Sequence, residues 1–220
     1  MDITVTSLLD LSKTIASALF DNIEYPWQAL ELISDFTVRL GASLPADEYE
    51  CRGNNIWIAK DAVVYPSANI TGPCIIDHGA EVRQCAFIRG SAIVGKNAVV
   101  GNSTELKNVV LFDNVQVPHY NYVGDSILGY KAHMGAGSVT SNVKSDKTLV
   151  VVKNGDERFE TKRKKFGAIL GDNVEVGCNS VLNPGSVIGR GASIYPLSCV
   201  RGTVPPGHIY KSADNIVERT

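Results

Sequence analysis

Aliphatic residues recur at every sixth position through most of this chain. A first series of such positions comprises Ile58, Val64, Ile70, Ile76, Val82, Ile88, Val94, Val100 and Leu106, and a second comprises Leu170, Val176, Leu182, Ile188, Ile194 and Val200. The residue four positions after each member is mostly small, and Gly, Asn and Asp occupy many positions between them. Because six is a multiple of the two-residue repeat of a strand, each hexad predicts one short strand followed by a turn.

Stacked hexads of this kind predict a repetitive β structure. The aliphatic residue points inward, the small residue fits a crowded corner, and Gly, Asn and Asp tolerate the positive φ that tight corners require. Three hexads close one triangular coil, and successive coils bury a continuous column of Ile and Val. The alternative, chance alternation in a β-sandwich, does not explain nine successive aliphatic positions. We therefore predict an all-β fold, a parallel β-helix of hexapeptide repeats over residues 54–205.

The segments outside the repeat predict two helices and a tail. Residues 8–21 and 26–41 carry apolar residues at helical spacing, and Pro26 suits a first helical turn. We expect residues 1–53 to form a short N-terminal helical segment and linker that caps the open end of the prism, with a separate function as the alternative. The prolines of the 204–207 segment are expected to stop the coil and leave 206–220 as a C-terminal tail.

The hexads stop between about residues 145 and 167, where the sequence predicts an inserted β-hairpin. Asn154 and Gly155 lie between two strand-like runs, which is typical of a type I′ turn. Such an arm either covers a neighbouring subunit or closes over a ligand. The basic run 162–165 that follows is either a solvated face or a phosphate-binding element.

The hexad phase also slips between Phe112 and Leu128. The interrupting segment, 117–125, places His119 beside Tyr122, another tyrosine and an asparagine on a turn that the repeat does not require. A neutral imidazole accepts a proton near pH 7, so His119 is a candidate general base, with a purely structural histidine as the alternative.

Composition narrows the class of function. The 220 residues include 21 Lys+Arg and 23 Asp+Glu, so no excess of basic residues indicates nucleic acid binding. Five dispersed cysteines, no long apolar run and no signal-peptide pattern favour a cytoplasmic protein that does not enter a membrane. The four histidines lack close ligand spacing, so no metal is expected.

Three strings in order resemble a known family. They are residues 100–107, ending in Lys107, residues 119–125, beginning with His119, and residues 135–142, ending in Asn142. Together they resemble the acetyltransferase domain of the bifunctional bacterial glucosamine-1-phosphate acetyltransferase/N-acetylglucosamine-1-phosphate uridyltransferases. The hairpin and residues 163–172 look more like the archaeal sugar-1-phosphate nucleotidyltransferase/acetyltransferases. The resemblance implies a left-handed coil, a homotrimer with sites between neighbouring subunits, and acetyl-CoA as the acetyl donor.

The resemblance also implies roles for individual residues. It makes His119 the catalytic base and places Asn142 near the reacting amine. The implied ligands of an amino-sugar 1-phosphate are Arg89, Lys107, Tyr122, His133 and Lys165, with Lys147 as a second candidate for the loop lysine. Those implied for the coenzyme are Gly135, Ala136, Cys178 and Pro196.

Several positions depart from the family pattern. His133 stands where the family has an asparagine, Arg89 is followed by Gly-Ser instead of Pro-Gly, and only Lys211 lies near the position of a coenzyme-binding arginine. The N-terminal segment has no nucleotidyltransferase motif, so we expect acetyl transfer without nucleotide-sugar synthesis. The alternatives are a trimer that binds a sugar phosphate or sugar nucleotide without turnover, and an acetyltransferase for a different amino sugar.

Overall fold

Short parallel strands stack into the three walls of a triangular prism. In this computed structural model, which describes residues 1–219, Ile76 is in register with Val94 and Val94 with Leu111, so one coil takes 17 or 18 residues. The fold is a left-handed parallel β-helix of hexapeptide repeats, as predicted.

Each wall is a sheet of strands from successive coils. The first face contains Ile56–Ala59, Cys74–Ile76, Ala92–Val94, the second halves of Glu105–Leu111 and Tyr122–Leu128, Ala168–Leu170, Ser186–Ile188 and Thr203–Val204. The second face contains Val63–Val64, Glu81–Val82, Val99–Asn102, Gln116–His119, His133–Met134, Glu175–Val176, Ser193–Ile194 and His208–Ser212. The third face contains Asn69–Ile70, Phe87–Ile88, the first halves of Glu105–Leu111 and Tyr122–Leu128, Val139–Thr140, Val181–Leu182 and Cys199–Val200.

The predicted inward positions form the core. Most aliphatic members of the two hexad series are buried, and small residues such as Ala80 and Ala98 are fully buried at the corners between walls. Asn97 and Asn173 adopt the positive φ expected at corners, and Leu197 does so as well. The hexad pattern therefore identified both the interior and the corners of the prism.

The first face is apolar on its outer side too. Its outward-pointing residues stack in register through successive coils and are buried; they are Trp57, Ile75, Ile93, Val110, Ile127, Ile169 and Val187. Strands covered on both sides read as continuous apolar runs, whereas strands with one solvated side alternate. This face is therefore built to be covered by another part of the protein.

The N-terminal segment provides that cover. The backbone N–H of Asp172 donates to Leu8 O at 3.0 Å, and the side-chain amide of Asn108 donates to Leu30 O at 3.0 Å. Gly41 then lies directly against the ring of Trp57, near the first coil. The segment thus runs along the length of the first face. The expectation that it caps the open end of the prism is wrong, because the larger exposed apolar surface is the side wall.

Helices make up only part of this segment. The α-helices are Val5–Leu8 and Ile33–Ser43, and the 3₁₀ helices are Leu11–Lys13, Ser17–Phe20 and Pro26–Glu31. The second predicted helix is present, as a 3₁₀ turn followed by an α-helix. The continuous helix predicted over 8–21 is wrong. There the Asp10 side chain accepts the Ser12 N–H and Thr14 Oγ1 accepts the Ala16 N–H, and such local bonds compete with helix formation.

The inserted hairpin is present, as predicted, but the predicted position of its turn is wrong: Asn154 pairs with Glu157, so the two turn residues are Gly155 and Asp156. Of these only Gly155 has a positive φ, whereas a type I′ turn requires one at both turn residues. The hairpin strands are Val151–Asn154 and Glu157–Glu160. The hairpin folds back on its own chain: Val150 and Val152 are fully buried, and the Phe159 ring lies 5.4 Å from that of Tyr25. In the single chain it completes the cover of the first face.

Both ends of the coil carry an antiparallel strand. Tyr49–Cys51 pairs with Ile56–Ala59 at one end, and Asn215–Glu218 pairs with His208–Ser212 at the other. The expectation that the coil stops at the prolines is wrong, because His208–Ser212 still pairs in parallel with Ser193–Ile194 and buries Tyr210. No helix within residues 1–219 is long and apolar enough to cross a bilayer.

Candidate functional site

His119 lies at the corner between the second and third faces. A ladder of backbone hydrogen bonds climbs this corner from coil to coil. Gly137 N–H donates to His119 O at 3.0 Å, and Asn179 N–H donates to Ala136 O at 2.8 Å. Leu197 N–H then donates to Cys178 O at 2.9 Å. His119, Ala136 and Cys178 therefore occupy one column, and Pro196, which precedes Leu197, continues it. We call this column the His119 corner.

A buried asparagine braces the corner. Asn121 Oδ1 accepts the backbone N–H of His119 at 3.1 Å, and Asn121 Nδ2 donates to Gly135 O at 2.8 Å and Ser138 O at 3.1 Å. Asn121 is 2% exposed, so these bonds form away from water. The backbone that carries His119 is thus tied to the next coil, while its exposed imidazole has no hydrogen-bond partner within the described chain.

A shallow cleft runs along the second face beside this corner. It has a volume of about 240 Å³ and includes Gly135, Cys178 and Pro196 in its walls, with His133 and Glu175 at one side. A Cβ at Gly135 would lie 2.8 Å from Cys178 N, so the close approach of these coils requires glycine. His133 is bound to Glu175, with Nδ1 2.7 Å from Oε2. The four residues implied for the coenzyme therefore lie together, and His133 lies with them.

A second polar group lies at the opposite edge of the third face. The Asp125 carboxylate is 4% exposed and accepts from Lys107 Nζ at 3.0 Å, Asn108 Nδ2 at 3.0 Å and Asn142 Nδ2 at 2.6 Å. We call these four residues the Asp125 cluster. Lys107 and Asn142, both implied by the resemblance, are thus held by one buried carboxylate.

Arg89 and Tyr122 extend this group along the third face. Arg89 lies on the third face one coil before Lys107. Its Nη1 donates a hydrogen bond to Glu105 Oε1 at 2.8 Å. Asn142 Nδ2 lies 3.2 Å from Tyr122 Oη. Burial, together with the nearby negative charges of Asp125 and Glu105, raises the pKa of the Tyr122 phenol above its ordinary value. Tyr122 therefore stays a neutral hydrogen-bonding group at physiological pH.

The two candidate loop lysines lie in different places. Lys165 is exposed but pairs through its backbone with Val143, next to Asn142. Lys147 lies on the exposed 144–148 turn, with its N–H donating to Lys144 O. The structure thus brings Lys165 to the Asp125 cluster, whereas Lys147 has no described contact with it.

The His119 corner and the Asp125 cluster are separated by the width of the third face. At about 3.3 Å per strand residue, this separation is on the order of 15 Å. Reacting atoms must approach to about 3–3.5 Å. The side chains of the His119 corner and those of the Asp125 cluster therefore make no direct contact within one chain.

The hexad phase slips at two corners, Asn108 and Asp125. The sequence interpretation placed the slip in segment 117–125, which includes Asp125 but not Asn108. Leu106 and Leu111 both point inward, as do Val123 and Leu128, so one residue is missing from each of these two corners. Asn108 and Asp125 both adopt positive φ there. Sequence reasoning did not single out Asp125 or Asn121. The five-residue spacing of the aliphatic positions was the signal that could have identified the Asp125 corner.

No group of three potential metal-binding side chains is found within residues 1–219, and the five cysteines in that range are free thiols.

Comparisons with known proteins agree with this architecture. The sequence model of the family described as the GMPPB C-terminal domain matches residues 70–189. The bifunctional protein GlmU of Methanococcus maripaludis is 35% identical over 177 residues, which cover 80% of this chain and 43% of that protein. A bifunctional sugar-1-phosphate nucleotidylyltransferase/acetyltransferase of Sulfurisphaera tokodaii is 33% identical over 166 residues, covering 67% of this chain and 41% of that protein. The chain thus spans less than half the length of these relatives.

Among solved structures, a hexapeptide transferase family protein of Anaplasma phagocytophilum is similar with a TM-score of 0.41 and 16% identity, covering 74% of this chain and 78% of that one.

Proposed function

This chain belongs to the GMPPB C-terminal domain family. From its similarity to a bifunctional sugar-1-phosphate nucleotidylyltransferase/acetyltransferase we propose that it transfers an acetyl group from acetyl-CoA to the amine of an amino-sugar 1-phosphate. The observation that supports this most directly is the hydrogen-bond ladder that stacks His119 with Ala136 and Cys178. It aligns a candidate base with a cleft whose lining spans three successive coils, at Gly135, Cys178 and Pro196.

The chemistry requires a free amine. His119 accepts a proton from the amine, whose nitrogen attacks the thioester carbon; the C–S bond then breaks, and the coenzyme leaves as the thiol after taking up a proton. The thioester oxygen becomes an oxyanion that a backbone N–H stabilises. Gly135 N–H already donates to Val176 O, and no acceptor for Ala136 N–H is found within residues 1–219. Ala136 is therefore the proposed oxyanion donor.

The acceptor binds to the third face in this proposal. Arg89 and Lys107 contact its phosphate, Tyr122 donates a hydrogen bond, and Asn142 orients the amine. Lys165 adds a cation from the adjoining loop, with Lys147 as the alternative. Because His119 and the Asp125 cluster of one chain lie at opposite edges of the third face, we propose that the site forms between two chains of a homotrimer. The uncovered second and third faces leave room for such contacts.

His133 is proposed to set the choice of acceptor. It replaces the asparagine of the family and is bound to Glu175, so the acceptor meets an imidazole–carboxylate pair instead of an amide. Such a pair favours an acceptor with a different hydroxyl or amine pattern from glucosamine 1-phosphate. Acetyl transfer to another amino sugar is thus the second form of the proposal.

A non-catalytic sugar-phosphate or sugar-nucleotide binding trimer is the alternative from another class. It is favoured by one observation: the His119 ring has no orienting hydrogen bond within the described chain. The remaining parts of the proposal are a cytoplasmic location, no contact with membranes or nucleic acid, and no requirement for a metal.

Thiol release from acetyl-CoA tests this proposal. The purified chain is assayed with a panel of amino-sugar 1-phosphates and nucleotide-linked amino sugars. Turnover with at least one acceptor supports acetyl transfer and identifies the acceptor. Saturable binding of a sugar phosphate without thiol release by any acceptor supports the binding trimer instead.

A further inference from the structure

The largest cavity described lies far from the His119 corner, between the N-terminal segment and the inserted hairpin. Its volume is about 540 Å³. Its walls come from the Pro26–Glu31 turn on one side and from residues 158–163 of the hairpin and basic run on the other. This volume is in the range of small-molecule sites in proteins. Acetyl transfer as proposed above makes no use of it.

One wall of the cavity holds an under-used guanidinium. The Arg163 side chain is 18% exposed, yet its contacts are long: Nη1 lies 3.5 Å from Glu31 Oε2, and Nε lies 3.4 Å from Lys165 O. Glu31 is 70% exposed and is free to move into solvent. A mostly buried guanidinium with no close acceptor is suited to receive a bidentate anion such as a phosphate. Arg158 and Lys162 add positive charge to the cavity lining, and Glu160 adds a negative charge, so with Glu31 the lining has three basic and two acidic side chains.

Aromatic side chains line both walls. The Tyr25 and Trp27 rings stack at 4.8 Å, and Phe159 lies 5.4 Å from Tyr25. Tyr25 and Phe159 are only half-buried and line the cavity, so each offers ring surface to a planar group. Exposed ring surface together with cationic side chains in one cavity matches a ligand that carries a flat ring at one end and phosphate at the other.

From this arrangement we propose that the cavity is a nucleotide-binding site, with Arg163 on the phosphates and Phe159 and Tyr25 against the base. The sequence left the basic run 162–165 as either a solvated face or a phosphate-binding element. This proposal favours the second alternative for Arg163. The proposed ligand is a nucleoside phosphate, and both walls of its site come from a single chain.

Residues 161–166 connect this cavity to the Asp125 cluster. Phe166 N–H donates to Asn142 O at 3.0 Å, and Lys165 pairs with Val143. A ligand that holds Arg163 therefore restrains the short segment that positions Lys165 and Asn142. We infer that occupancy alters acetyl transfer; this part rests on the proposed function, whereas the binding itself does not.

Binding is measured on the full chain by titration with a fluorescent adenine nucleotide, competed by unlabelled ATP, UTP and inorganic phosphate. Saturable binding is expected, with at least tenfold weaker affinity in Arg163→Gln and a clear loss in Phe159→Leu. Arg52→Gln, at an exposed arginine on the first coil, is the matched control and should bind as the wild type does. Circular dichroism melts confirm that each variant is folded.

Three results would overturn the site: no saturable binding to the wild type, equal affinity in folded Arg163→Gln, or inorganic phosphate competing as well as the nucleotides. Equal competition by inorganic phosphate would mean that the aromatic rings contribute nothing to the binding affinity. Failure of the proposed function appears separately, as absent thiol release by a chain that still binds nucleotide. If thiol release occurs and nucleotide binds, an unchanged rate on saturation with nucleotide overturns the inferred effect on transfer.

Discussion

At the scale of single residues, the buried carboxylate of Asp125 organises more of the candidate site than any residue singled out by sequence. It accepts hydrogen bonds from Lys107, Asn108 and Asn142 while remaining almost fully shielded from water. Shielding of this kind makes removal of one partner costly, because the others keep unpaired polar atoms. Arg89 and Glu105, on the same face, form a more exposed pair in which solvent screens the charges.

The two ion pairs give a matched test. Asp125→Asn leaves the Lys107 ammonium without its counter-charge and should lower the free energy of unfolding by about 1–3 kcal/mol. Glu105→Gln, at the exposed pair, should cost less than about 1 kcal/mol. Urea denaturation of both variants measures the difference. Equal losses would show that the Asp125 cluster is no better shielded than an ordinary surface pair.

At the scale of elements, the sequence predicted the repeating coils of the β-helix but not the path of the N-terminal segment that covers the first face. The hexads located the core, the corners and the hairpin because each depends on local periodicity and turn chemistry. The path of residues 1–43 depends on the apolar outer side of the first face, which appears only when strands 17 or 18 residues apart are aligned. For the same reason the Asp125 cluster stayed hidden, whereas His119 was visible as an isolated histidine in a turn.

Coverage of the first face predicts a contrast between two valines. Val187 points outward on the first face and is fully buried, whereas Val63 points outward on the second face and is 52% exposed. Val187→Ala should therefore lower the free energy of unfolding by about 1–3 kcal/mol, and Val63→Ala by less than about 0.5 kcal/mol. Thermal or urea unfolding gives both values. Similar small losses would mean that the N-terminal segment and hairpin do not pack on the first face in solution.

The first coil predicts a pH dependence. His78 bonds Asp61 Oδ1 at 2.9 Å and Glu48 Oε2 at 3.1 Å. Burial lowers the pKa of His78, but the hydrogen bonds that its ring donates to these carboxylates outweigh the burial and raise that pKa above the ordinary value. A raised folded-state pKa means that the stabilisation is complete below about pH 6.5, the unfolded value, and is lost as pH rises through the folded value.

Melting temperatures measured between pH 5.5 and 9 should show this loss in the wild type and a smaller one in His78→Gln. His208→Gln, at the opposite end of the coil, is the control and should behave as the wild type. A decline that is unchanged in His78→Gln would assign the pH dependence to other groups.

At the scale of the whole molecule, the central claim is that two chains complete one site. If His119 and Lys107 act from neighbouring chains, mixed trimers of His119→Ala and Lys107→Ala subunits regain some intact sites. Refolding the two variants together should therefore restore part of the acetyl transfer that each lacks alone. Activity no greater than that of the separate variants would place both residues in a site within one chain, or in none.

The most direct test of the proposed function is steady-state thiol release by His119→Ala with the best acceptor of the panel. Loss of the general base predicts a fall in kcat of about 10²–10⁴-fold at unchanged melting temperature. His208→Ala, which removes a partly exposed histidine four coils away from His119, should keep wild-type activity. Wild-type turnover in a folded His119→Ala protein would contradict the assignment of His119 as the catalytic base.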